Sequence, residues 1–214
     1  MTLFANLGVR PKYIAPSIAV ASVIWLGSGM IQAADAQTIG SFYTSTAPKD
    51  CHVTAAGNEV DDSTIRLCPG KAGLVVLVSE DDLRETVSVG RNRSAAAREP
   101  AAQASFSPFN STAATIEWRT QDNKPFAIIQ RWLIADNADL DKSDRPTTKP
   151  LLVVTRLPPG EVCHVAYIDV QANGDANGLA RKAADEIARH FKCGTDQVKI
   201  FGSSGRAVEL AQRR

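Results

Sequence analysis

The sequence predicts an α+β fold: a mostly antiparallel sheet, one main C-terminal amphipathic helix packed on it, and two disulfides. Three observations carry this. Short β-branched and aromatic runs come in pairs separated by turn residues; one late stretch changes to helical period; and four cysteines follow an N-terminal segment built like an export signal. Alternating βα units, the mark of a doubly wound parallel sheet, are missing.

The first 36 residues read as a signal peptide. Arg10 and Lys12 supply positive charge, Ile18 to Leu26 is apolar apart from Ser22, and Ala34-Asp35-Ala36 places small residues where a signal peptidase reads them. Gln37 is then the mature N-terminus. The rival, an uncleaved anchor spanning Ile14 to Ile31, is shortened by Pro16, Gly27 and Gly29. After cleavage no membrane span is expected.

Residues 37–48, rich in Ser, Thr and Ala, read as a flexible leader, and residues 49–201 as a single α+β domain. Cys51 to Ala55 and Ser63 to Cys68 form a first strand pair around the acidic, turn-rich stretch from Gly57 to Asp62. Leu74 to Val78, entirely aliphatic, is a strand buried on both faces. Ser79 with Asp82 three residues on predicts a single helical turn before Thr86 to Val89 resumes strand pattern. Residues 91–112, with Ala95-Ala96-Ala97 and Pro100-Ala101-Ala102, read as a long exposed loop, either a tether inside the domain or a place where a partner could bind. Asn92 and Asn110 head glycosylation sequons whose chemistry requires a host that uses them.

The best hairpin lies between Ala114 and Ala135, with Gln121 to Pro125 as its turn. Its second arm puts Phe126, Ile128, Trp132 and Ile134 on one face, with Gln130, and Ala127, Ile129, Arg131 and Leu133 on the other, which suggests a central strand with a helix on one side. Leu151 to Leu157 and Val162 to Val170 pair around Pro158-Pro159-Gly160. From Leu179 the period lengthens: Leu179, Ala183, Ile187 and Phe191 share a stripe, flanked by Ala180, Ala184 and Ala188, with Asn177 as N-cap and Gly194 as stop. Gln197 to Phe201 is a short last strand, and residues 202–214 a polar tail.

The chain carries 24 basic and 23 acidic side chains. Without the signal segment the formal charge is zero, so no general electrostatic attraction to nucleic acid is expected. An even cysteine count in an oxidising space reads as two disulfides, and spacing favours Cys51 with Cys68 and Cys163 with Cys193. The competing metal reading uses the two Cys-His pairs, Cys51-His52 and Cys163-His164. Neighbours on an extended strand point to opposite faces, and no C-x-x-C spacing is present. Asp139, Asp141 and Ser143 resemble the start of a calcium loop, which fails at Asp144 and Pro150. No metal and no cofactor are expected.

Catalytic signatures are missing: no H-E-x-x-H, no G-x-S-x-G, no P-loop and no dinucleotide fingerprint. His164 and Asp169 with a serine would compose a triad only if they shared a face, and their spacing of five places them on opposite ones. The expectation is an exported, disulfide-stabilised, non-enzymatic binding or interaction module of the cell envelope, periplasmic or secreted, such as an inhibitor or accessory protein with a protein or envelope ligand. The alternative is an exported hydrolase whose site has no familiar motif.

Overall fold

The structure, a computed structural model, describes residue 8 and residues 38–55 and 63–212. Apart from residue 8, the expected signal segment lies outside the described residues, as does the stretch from Gly57 to Asp62.

Sheet dominates. The strands are β1 (Ile39–Ser45), β2 (His52–Ala55), β3 (Thr64–Pro69), β4 (Val75–Asp81), β5 (Arg84–Gly90), β6 (Asn110–Gln121), β7 (Lys124–Leu140), β8 (Pro146–Arg156), β9 (His164–Asp169) and β10 (Lys199–Ile200). The helices are α1 (Arg93–Ala97), α2 (Ala176–Ala183), which runs on into a π turn over Ala184–Ala188, and α3 (Arg206–Ala211). The strand order is β10-β9-β8-β7-β6-β5-β4-β3-β2, with β1 also on β6. Pairing is antiparallel except for β9 with β10 and a single rung, Arg84 opposite Asn110, that joins β5 to β6.

Two meanders therefore meet at one rung, and side chains hold them together. Val76, Val78, Val87 and Val89 from the short meander share a core with Ile116, Trp118, Ile128, Trp132, Ile134, Leu151 and Val153 from the long one. Strand alternation sends the intervening residues of the long meander the other way. Ala127, Ile129, Leu152, Val154, Ala166 and Ile168 pack under Ala180, Ala183, Ala184 and Ala188 of the helix. The alanines keep the helix close to the sheet, and the result is three layers: short meander, long meander, α2.

Several local expectations need correcting. The residues expected as a flexible leader form β1, because Phe42 stacks on Trp118 at 5.6 Å and Thr44 Oγ1 accepts from the Trp118 indole N–H at 2.8 Å. No helical turn follows Ser79. Asp82 and Leu83, at φ 48° and 59°, close a two-residue hairpin turn, and Glu80 Oε1 accepts from Leu83 N at 3.2 Å. Residues 91–112 are not an exposed loop. The Asn92 side chain caps α1 through Ala95 N, a 3-10 turn covers Pro100–Gln103, and Ala96, Ala101 and Phe106 are buried. A side chain at Gly90 would put its Cβ 2.4 Å from Ala96 N, so glycine there lets α1 dock.

The main helix is capped by Asp175, whose Oδ1 accepts from Gly178 N, and not by Asn177. Nor is it the C-terminal element. The expected polar tail contains α3, with Ala207, Val208 and Leu210 buried in the shared core. Asp136 on β7 pairs with Arg206 through both carboxylate oxygens at 2.7 Å, and Asp169 Oδ2 accepts from Ala207 N at 2.8 Å. Phe126 leaves the face of Ile128 because a register shift between Arg119 and Thr120 turns it toward the helix layer.

Candidate functional site

The cysteines pair as the spacing favours, Cys51 with Cys68 and Cys163 with Cys193, leaving none free among the described residues. The first bridge sits at the sheet edge, next to the rung between His52 and Leu67. The second fastens the residue before β9 to the chain just beyond the π turn. His52 is exposed and His164 is buried, and no His, Cys, Asp and Glu group among the described residues is arranged to hold a metal ion.

His164 lies among Phe106, Trp132 and Tyr167, with Nδ1 3.1 Å from the Tyr167 hydroxyl and no partner for Nε2. Burial lowers its pKa to about 4 and pushes the Tyr167 phenol upward, so both are neutral near pH 7. Contrary to the expected opposite faces, a register shift between Val154 and Thr155 puts His164 on the side of Tyr167 and Asp169, but the Asp169 carboxylate is taken up elsewhere: Oδ1 accepts from Ala172 N and Oδ2 from Ala207 N. Asp169 thus builds a loop and a helix start, and His164 bonds Tyr167; no hydrogen bond joins His164 to Asp169. In the acidic hairpin loop, Asp139 is taken up by Lys149 and Thr147, and Asp141 Oδ1 accepts from Ser143 N and Arg145 N.

Two charged clusters neutralise themselves. Between α2 and β6, Glu117 accepts from Arg181 at 2.7 Å and Arg119 pairs with Asp185 at 2.6 Å. Burial raises the Glu117 carboxyl, but hydrogen bonds from Arg181 and Ser41, with the charges of Arg181 and Arg119, outweigh it and hold the group below its ordinary range. Between the two meanders a cleft of about 410 Å³ is lined by Leu83, Phe109, Arg66 and Glu85. There the Glu85 carboxylate accepts from Arg66 and from Thr112 N and Oγ1, so the Arg66 charge is paired, although its buried Nε has no partner.

A second cleft of about 410 Å³ is different. It opens at one end of the long meander, lined by Lys124, Pro125, Phe126, Arg156, Pro158 and Arg189. The hairpin turn at Asp122 and Asn123, with φ 50° and 61°, sets Lys124 at the start of β7. Arg156 ends β8, its N–H bonded to Cys163 O at 3.0 Å, and Leu157 N donates to Phe126 O at 2.9 Å. The Arg156 side chain curls over the proline turn: Nη2 donates to Pro159 O at 2.8 Å, Nη1 lies 4.0 Å from Cys193 Sγ, and the buried Nε has no partner. Arg189 lies 4.4 Å above the Phe126 ring. None of the three cations is in a salt bridge among the described residues, a condition they share with Arg91, Arg93, Arg98 and Arg131, but here three of them line one cleft. The one acid on the rim, Asp122, accepts from Thr38 N.

This arrangement was not visible in the sequence. Its members lie far apart in the chain, and the one local hint is a basic residue beside each of two proline turns, Lys124-Pro125 and Arg156 before Pro158-Pro159. The expected site residues, Cys163 and Cys193, frame it from behind. No protein-family model, curated protein or solved structure matches the chain. Among the described residues, no helix is long and apolar enough to cross a membrane.

Proposed function

We propose that the protein is an exported binding module of the cell envelope, periplasmic or secreted, that acts by holding a ligand and not by transforming it. The observation that carries this reading is the cationic cleft backed by Cys163–Cys193: a bridge stable only in an oxidising compartment rigidifies the wall of a site whose charges are left uncompensated. The lining has apolar walls and a few fixed polar groups, the usual make-up of a ligand pocket. None of its named side chains is a histidine, serine or cysteine poised for general-base or nucleophilic work.

Intact-mass analysis of protein recovered from periplasm and medium, with and without reductant, tests the export arm. The expected species begins at Gln37 and gains four protons' mass on reduction of two bridges. The binding arm is tested by incubation with polysaccharide, ester and peptide substrates: saturable binding without turnover supports the reading, and turnover of any of them moves the protein to the hydrolases.

A further inference from the structure

Resting on that reading, we infer that the Arg156 cleft takes an amphipathic oxyanion: a carboxylate or phosphate monoester carried on an apolar body about the size of one ring. Four observations converge. The cleft is lined by Lys124, Arg156 and Arg189 against the single acid Asp122, and no salt bridge consumes the cations. Arg156 is held in place before any ligand arrives, by Pro159 O on one side and the Cys193 sulfur on the other, so little side-chain freedom is lost on binding. Arg189 lies 4.4 Å over Phe126 with its Nη2 donating to Asp185 O at 3.0 Å, so the guanidinium is held in place and the ring supplies an apolar floor. Pro125, Leu157 and Pro158 complete that floor, and the volume, about 410 Å³, lies in the range of small-molecule pockets.

The parts divide the work. Planar guanidinium groups match the two or three oxygens of a carboxylate or phosphate, and a charge-assisted bond there is stronger than a neutral one. The proline and phenyl surface gains from covering an apolar body. A bare anion would use the first contribution alone, and a neutral apolar molecule the second alone. Both are needed for the ligand the cleft describes.

The test is calorimetric titration of the full chain, bridges intact, with 4-phenylbutyrate, phenyl phosphate, 4-phenylbutyramide and inorganic phosphate. At least one of the first two is expected to bind about tenfold tighter than both the amide and inorganic phosphate, and the tighter of the pair identifies the oxyanion. Binding is expected to weaken about tenfold in Arg156→Gln, and to weaken as salt rises from about 50 to 500 mM. Lys124→Gln, at an exposed turn where folding is not at stake, is expected to cost about threefold through the lost charge. Equal binding of the amide, equal binding of inorganic phosphate, no binding of either oxyanion, or unchanged affinity in both variants would each overturn the inference. A wild-type chain that binds none of these probes but still holds another envelope ligand without turnover, undiminished in Arg156→Gln, sinks the oxyanion site and leaves the binding-module reading standing.

Discussion

The two bridged regions are closed by the same bond and differ in what the sulfur holds. Cys51–Cys68 joins neighbouring strands whose backbones are already paired, at the outer edge of the short meander. Cys163–Cys193 spans two layers, strand to helix end, and lies within reach of the Arg156 guanidinium. Their sequence separations are 17 and 30 residues. Chain entropy then makes their contributions nearly equal, about 3.1 and 3.6 kcal/mol. The same covalent device secures an edge in one place and lies against the Arg156 guanidinium in the other.

The sharpest way to break this comparison is to remove each bridge as a Ser pair. Both variants are expected to lose about 3 kcal/mol in urea denaturation. Cys163→Ser with Cys193→Ser is expected also to weaken oxyanion binding several-fold, and Cys51→Ser with Cys68→Ser to leave it unchanged at temperatures where both remain folded. Equal loss of binding in the two would erase the distinction.

Next in size is the tie that anchors α3. Asp136→Asn removes the charge partner of Arg206 and is expected to cost about 2 kcal/mol, with binding at the distant cleft retained. The pair also sets an acid limit. The two bonds from Arg206 lower the Asp136 pKa from 3.8 to about 2, against the opposing effect of burial. A depressed carboxylate contributes fully above its unfolded value, so this stabilisation is present above pH 4 and fades as pH falls through about 2. Thermal melts across that window should show the fall in wild type and a weakened one in Asp136→Asn.

A separate acid effect, at least as large as that of Asp136, concerns His164. Its folded pKa of about 4 lies below the ordinary 6.5, so the unfolded chain takes up a proton first as pH falls. Stability is therefore lost between about pH 6.5 and 4 and levels off below that range. His164→Phe, which suits the surrounding rings, is expected to flatten this part of the melting profile while giving up the contact with the Tyr167 hydroxyl. An unchanged slope between pH 6.5 and 5 would show that the imidazole is solvated.

Much of the architecture was legible because it follows from alternation. Ile128, Trp132 and Ile134 opposite Ala127 and Ile129 announced a strand between two layers, and the alanine stripe announced the helix over it. What stayed hidden depends on partners remote in sequence. Nothing in Ile39–Ser45 reveals that Trp118 awaits Phe42 and Thr44, and nothing in the apparently polar tail reveals that Asp136 and Asp169 receive its helix. Asp82 was misjudged because an acidic residue suits both a cap-like spacing and a left-handed turn. The bridges followed from spacing and compartment, but the cleft in front of one of them could not, since Lys124, Arg156 and Arg189 converge only once β7, β8 and the helix are packed.

The single rung between Arg84 and Asn110 has a mechanical consequence. Tension applied between the short meander, β2 to β5, and the long one finds almost no backbone ladder to travel along, so the load passes through interdigitated valine and tryptophan side chains in shear. Under pulling, the flap that begins at β2 should peel away as one discrete step, its first loop kept short by sulfur, before the longer meander yields.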